Sequence, residues 1–451
     1  MEDKGLSEFI SFTGTLEAGV NILPLTFQVR INPSGEVEFD LGAIPLTNDT
    51  VFINNHMHGI GSNFGLFRLA GVSEDVIKFE TNDFFLSSMS NRSVAGSSYM
   101  RAEGECSTAE FHRKLVEPCS KPQLVMRLKG FQNFGILDAT CQLGQVAMGG
   151  SSKIKNPDIL SGYIEVQASE ENLDISIWRA EADKLLDHIR HVMSFAAAVE
   201  LKGPIVEFRV GDILQLQAWS QTPQAGASMQ TFHYLDQKPV FDVAVKSFFA
   251  PPFKVKNLFF AISWFAMQTS HNEVRLVNAM TALENLIASN LNDDESLILP
   301  TKEFSKHRKI LRKVIQECVE RWTTENPAEV DSIRDELGER LADLNRRSLL
   351  KKLWFLSERW SVPLHDIGED RIRKAKRARD LIVHRGHYYV EEDSSQDALW
   401  NHVTIVREVV VRFLLSALGF KGRYFSYVGG YHDAVFPPPE AQLMLSREDC
   451  T

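Results

Sequence analysis

The chain has 451 residues, 44% of them hydrophobic and 24% charged, with a formal net charge of -10. That length exceeds one ordinary core and predicts two or three domains, while the composition excludes a largely disordered chain. The acidic balance excludes a wholly basic nucleic-acid coat, so any nucleic-acid site must be a local basic patch. Five cysteines, Cys106, Cys119, Cys141, Cys318 and Cys450, include no CxxC pair. They point to free thiols in a reducing compartment, hence the cytoplasm. Residues 1–9 are polar and acidic, unlike a secretory signal. No window of about 18 uncharged apolar residues occurs, so no membrane span is expected.

Up to about residue 250 the period is mostly two. Leu25, Phe27, Val29 and Ile31 alternate with polar residues, Asn32-Pro33-Ser34-Gly35 supplies a turn, and Val37, Phe39 and Leu41 resume the alternation. A β-hairpin with one buried face is predicted there. A second hairpin is expected from 163–166 and 173–177. Further strands are expected at 76–79, 123–128 and 205–210. One helix, 179–199, carries Leu185, Ile189, Val192 and Ala196 at helical spacing. The half reads as a sandwich or barrel-like β domain.

After Pro251-Pro252 the period becomes helical. Residues 255–268 are strongly apolar and predicted to be buried. A helix over 273–290 carries Leu276, Met280, Leu283 and Ile287 on one face. Residues 302–321 form a basic amphipathic stretch, 328–359 a charged and leucine-rich one with Gly338 as a break, and 370–384 another helix. Ser394-Ser395-Gln396-Asp397 caps a last helix through Val403, Val406, Val410 and Leu414, which Gly419 ends. The fold class is therefore α+β and multidomain: a β-rich domain over 1–250 and an all-α helical bundle over 251–451.

Several candidate sites fail on spacing. Gly59, Gly61 and Gly65 are wrongly spaced for a dinucleotide loop, and Gly149-Gly150-Ser151-Ser152-Lys153 lacks the Gly-Lys-Ser/Thr ending of a phosphate loop. His56 and His58 would share a strand face without a carboxylate or cysteine nearby to complete a metal shell. His188 and His191 with Asp183 and Asp187 read better as a solvated helix face than as ligands. No metal or other cofactor is therefore expected.

Residues 371–387 hold seven Lys or Arg side chains and one acidic one, Asp380. Phosphate attraction explains such a run; a solvated helix face flanked by Glu369 and Asp370 explains it equally. Within it, four residues separate Arg379 from His384. Cleavage of RNA without a metal needs a proton-transfer group for the ribose 2′-hydroxyl or the leaving oxygen, and a fixed cation for the charge on phosphorus. Histidine suits the first and arginine the second. Asp380 is placed to orient one of them. Arginine followed by four to six residues and a histidine recurs from Arg377 to His384 and from Arg359 to His365, the latter interrupted by Pro363. Side chains five apart on an ideal helix point about 140° apart. Arg379 and His384 therefore need a long reach, a helix end, which Gly386 can supply, or a second subunit.

Arg379-Asp380-Leu381-Ile382-Val383-His384 resembles the Arg-polar-x-x-x-His motif of HEPN domains. Residues 275–287 resemble the early helix of the ApeA-like branch of that superfamily, and the β-rich half is similar to the N-terminal domain of ApeA proteins. The resemblance implies a helical bundle that forms a homodimer or higher homo-oligomer, with two motifs facing one cleft. It also implies a metal-independent endoribonuclease that leaves a cyclic phosphate, acting in abortive infection against phage, with a possible phage-derived trigger. Carried onto this chain, Arg379 and His384 are the catalytic pair and Asp380 the polar motif position. Arg373, Lys376, Arg377, Arg385 and His387 are the candidate RNA contacts. Glu284 is a candidate for the same cleft or for the helix surface. The alternatives are a non-catalytic RNA- or nucleotide-binding module and a protein-interaction scaffold.

Overall fold

The structure, a computed structural model, describes residues 6–47, 50–58, 65–94, 97–133, 135–170, 174–223, 226, 228–322, 327–341, 343–388 and 396–439. The chain divides into two compact units, Met1–Ala250 and Pro251–Thr451.

In the first unit, β1 (Ile10–Ala18) and β2 (Asn21–Ile31) pair antiparallel, and β3 (Val37–Asp40) pairs with β2. Val29 stands opposite Phe39 and Ile31 opposite Val37, so the 25–41 segment is the hairpin expected from its alternation. The turn closes because the Asn32 carboxamide oxygen accepts from the amides of Ser34 and Glu36 at 2.9 and 3.0 Å, while Gly35 takes a φ of 81°. Next come β4 (Ala43–Pro45), α1 (Val51–His58), β5 (Leu66–Ser73), β6 (Lys78–Val94), β7 (Ser97–Glu105) and β8 (Thr108–Lys129). The unit ends with β9 (Ile136–Cys141), β10 (Gly144–Gly150), β11 (Leu160–Gln167), α2 (Ile175–Ala197), β12 (Ile205–Trp219) and α3 (Gln237–Phe249).

The twelve strands form one antiparallel sheet. Its main path is β3-β2-β1-β5-β6-β8-β11-β10-β9, with β12 on β8, β7 on β6 and β4 on β7. The sheet curls strongly. Phe39 on β3 and Phe84 on β6 are four strand steps apart, roughly 19 Å on a flat sheet. Their ring centroids lie 4.9 Å apart. Phe12, Phe27, Phe67, Phe79 and Phe111 fill the same buried core.

Three expectations need correction in this unit. Residues 174–177 do not form a second hairpin with β11. The Asp174 carboxylate accepts from the amides of Ser176 and Ile177 at 3.1 and 3.2 Å and starts α2 there, overriding the strand preference of Ile175 and Ile177; Leu173 lies outside the described residues. Val76 belongs to the turn before β6, with a φ of 60°. His56 and His58 sit on α1 and share no strand face.

The second unit runs α4 (Leu258–Ala266), α5 (Asn272–Asn290), α6 (Asp293–Ser296), α7 (Thr301–Trp322), α8 (Pro327–Arg340), α9 (Leu349–Arg359), α10 (Glu369–Arg385) and α11 (Gln396–Leu418). α5 is the central element and packs against α4, α9, α10 and α11. Gly419, with a φ of 72°, ends α11 as expected; residues 394 and 395 of the proposed cap lie outside the described residues. The unit is not all-α. β13 (Gly422–Ser426) and β14 (His432–Phe436) pair antiparallel behind α11, with Tyr424 and Ser426 buried in alternation.

Two helical expectations also change. α4 buries Ala261, Ile262, Phe265 and Ala266, yet Phe259, Phe260 and Trp264 are 45%, 49% and 37% exposed, because a short helix lays only one face on its neighbour. Gly338 lies inside α8, which ends at Arg340, and a 3-10 turn at Asp343–Asn345 precedes α9. There the buried Asn345 side chain accepts from the Leu299 amide at 2.8 Å and donates to the Leu299 carbonyl at 2.9 Å. These bonds join the two ends of the α7–α8 segment.

Candidate functional site

The helix α10 is specified locally. Glu369 and Asp370 occupy its first turn, and His384 and Arg385 its last, each sign at the end of the helix dipole that favours it. Ile372, Ala375, Ala378 and Ile382 form the buried stripe that faces α5 and α11. Gly386, with a φ of 80°, closes the helix, its amide donating to the Ile382 carbonyl at 2.8 Å. His384 therefore stands in the last turn, at the helix end anticipated from Gly386.

The two motif side chains part. Arg379 is turned inward, its side chain 19% exposed, and its guanidinium pairs with the Glu284 carboxylate on α5. Its other terminal nitrogen lies 3.3 Å from Asp380. Asp380 also takes the Lys376 ammonium at 2.5 Å, so it orients Arg379 and Lys376, and among the described residues it has no hydrogen bond or ion pair with His384. His384 is exposed, and its ring has no hydrogen bond or ion pair among the described residues. Within one chain no hydrogen bond joins Arg379 and His384. Glu284 does reach the motif, across 95 positions of sequence.

Of the candidate RNA contacts, Arg373 is bound to Glu369 at 2.5 Å and Lys376 to Asp380. Arg377 and Arg385 are exposed and carry no ion pair among the described residues. His387 is exposed beyond the helix, its Nδ1 3.0 Å from the Arg385 carbonyl. Arg377 and His384 are seven apart, which puts them within about 20° of one another on the helix, two turns apart. The guanidinium that shares the histidine's face is therefore Arg377, while Arg379 serves the opposite, α5-facing side.

A buried ion network missing from the sequence reading seats α10. On α11, Arg412 grips both Asp366 oxygens at 2.6 and 2.7 Å, the Pro363 carbonyl at 2.8 Å and Glu408 at 2.9 Å. Tyr424 donates to Glu408. Burial alone would raise the Asp366 carboxyl, but the hydrogen bonds and charge of Arg412 hold it below the ordinary aspartate range. Burial and the Glu408 charge push the Tyr424 phenol up. The network ties residues 363–366, just before α10, to α11. Arg412 and Glu408 read as an ordinary i,i+4 helix pair in sequence; nothing local signals Asp366 or Tyr424.

The remaining candidates are structural. His188 bonds the Ser247 hydroxyl at 3.1 Å, and burial pushes its pKa down to about 4. His191 lies 2.8 Å from the Asp187 carbonyl. Gly149 and Gly150 belong to β10, and 59–64 lie outside the described residues. Among the described residues no group of three or more His, Cys, Asp or Glu is placed to hold a metal ion, and no helix is long and apolar enough to cross a membrane. Comparison with protein-family models, with curated proteins and with solved structures finds no match to this chain.

Proposed function

We propose that the chain is a metal-independent endoribonuclease of HEPN type, acting in defence against phage, with its reacting centre at the C-terminal end of α10. The carrying observation is a solvent-facing imidazole, His384, at a helix end, with an unpaired guanidinium, Arg377, on the same face and the Arg379–Glu284 pair behind it. In this reading His384 moves the proton of the ribose 2′-hydroxyl or of the leaving oxygen. Attack of the 2′-oxygen on phosphorus then expels the 5′-oxygen and leaves a cyclic phosphate. Guanidinium charge offsets the charge gathering on the phosphoryl oxygens. Arg379 acts on the phosphate when it exchanges Glu284 for substrate, or when a second copy presents it to the first copy's His384. The N-terminal β unit then holds the sensing or restraining role.

The test is incubation of the purified chain with total RNA beside folded His384→Ala and Arg379→Ala variants. Cleavage by the natural chain alone, undiminished by a chelator, is the expected result. A folded His384→Ala protein that still cuts ends the proposal, and activity lost in chelator and restored by a divalent ion ends its metal-free part. One observation favours a second reading, an RNA-binding module without catalysis: Arg379 already has a carboxylate partner. RNA binding without scission would select it.

A further inference from the structure

The helix α7 carries Lys302, Lys306, Lys309 and Lys313, spaced four, three and four residues apart. That spacing lays them on one stripe, within about 60° around the helix and over about 16 Å of its length. All four are exposed, and none has an ion pair or hydrogen bond among the described residues. Across the same span, 302–313, the only acidic residue is Glu303. The opposite side of the helix is the anchored one. Val319 is buried, and Phe304, Ile315 and Cys318 are half-buried.

Four uncompensated ammonium groups in a row are self-repelling, and on a chain of net charge -10 they are not an average surface. A repeating anion relieves that repulsion. We infer that the lysine stripe of α7 docks the phosphate backbone of the RNA substrate, outside the reacting centre on α10. The identity of the polyanion rests on the nuclease reading; the stripe itself does not. A bilayer surface fits less well. A helix lying on a membrane buries an apolar face there, with aromatic side chains commonly among it. Here that face is partly covered by the protein, and among the described residues the exposed apolar groups of α7 are the aliphatic Ile310, Leu311 and Val314, with no aromatic side chain among them. Lysine, a point charge on a long stem, suits backbone contact without base selection.

The experiment is fluorescence anisotropy with a short fluorescein-labelled single-stranded RNA, on the full chain in the His384→Ala background so that the probe survives. The four lysines are replaced together by Gln, together by Arg, and in the pairs Lys302→Gln with Lys306→Gln and Lys309→Gln with Lys313→Gln. Circular dichroism verifies folding. The Gln quadruple variant is expected to bind at least about tenfold more weakly. Its slope of log affinity against log salt should be shallower by about 3, and by about half that for each pair. The Arg variant keeps both values. Unchanged affinity and slope in the folded Gln quadruple variant overturn the inference. So does a parent chain that binds phosphatidylserine vesicles and not RNA. Parallel cleavage assays on the natural chain keep the two proposals separate. Lysine-dependent binding without scission leaves the stripe standing and removes the nuclease. Scission with lysine-independent binding does the reverse.

Discussion

Two helices of the C-terminal unit are strongly basic, and their charges are compensated in opposite ways. On α10 and the residues just beyond it, four of the seven cations are already held: Arg373 by Glu369, Lys374 by Asp370, Lys376 by Asp380 and Arg379 by Glu284. On α7 none of the stripe lysines is held among the described residues. Charge density in sequence therefore overstates α10 as a phosphate surface and understates α7. The difference teaches that a basic run is a candidate site only after its acids are subtracted. The subtraction here needs i,i+4 geometry and one partner from a distant helix. What α10 keeps is sparse: Arg371, Arg377 and Arg385, with His384 among them. That suits a place where chemistry is done better than one where affinity is gathered.

The contrast breaks most severely if α10 loses its seat. Arg412→Met removes one member of a buried pair and leaves Asp366 and Glu408 without their cation. Unfolding of the helical unit in denaturant should become easier by about 3–5 kcal/mol. A cost below about 1 kcal/mol would show that the network does not position the helix.

A control of similar size lies in the β unit. His188 is depressed to about 4 in the folded chain, so between roughly pH 6.5 and 4 the unfolded chain binds the proton that the folded one refuses. Stability contributed by the neutral ring is present above pH 6.5 and lost as pH falls through that window, by about 3 kcal/mol. Thermal unfolding against pH should show this loss, and His188→Gln should flatten it. An unaltered profile in the variant would refute the assignment.

Within α10 the comparison sharpens on two arginines. Arg377→Ala is expected to lower RNA cleavage about tenfold or more through loss of charge beside His384, with folding unchanged because the side chain is exposed and unpaired. Full activity in this variant would return the role to Arg379 alone. The smallest effect is expected from Glu284→Gln. The pair is partly solvated, so its loss should cost no more than about 1 kcal/mol in unfolding. Cleavage should rise as Arg379 is freed for phosphate. A fall in cleavage would show that Glu284 holds Arg379 in its working position.

Local features were legible in the sequence. The β2–β3 hairpin follows from alternation plus an Asn-Pro-Ser-Gly turn, and α10 from its charged ends, apolar stripe and Gly386. Features that depend on distant contacts were not. The curl that brings Phe39 to Phe84 depends on strands separated by tens of residues, and period two fixes a buried face without fixing its partner. The start of α2 was hidden because Ile175 and Ile177 favour strands while one capping carboxylate, Asp174, decided the matter. At the site, spacing alone gave the opposed directions of Arg379 and His384. It could not give Glu284 as the arginine's partner or Asp366 as the anchor of the preceding turn, since neither lies within helical reach in sequence.

Cleavage of a defined RNA, compared with the same oligomer carrying a single 2′-deoxyribose at the mapped cut, tests the central claim most directly. The natural chain should cut the all-ribose strand to a cyclic phosphate end and leave the substituted bond intact, and folded His384→Ala should cut neither. Scission at the 2′-deoxy position, or by the His384→Ala protein, would contradict the account.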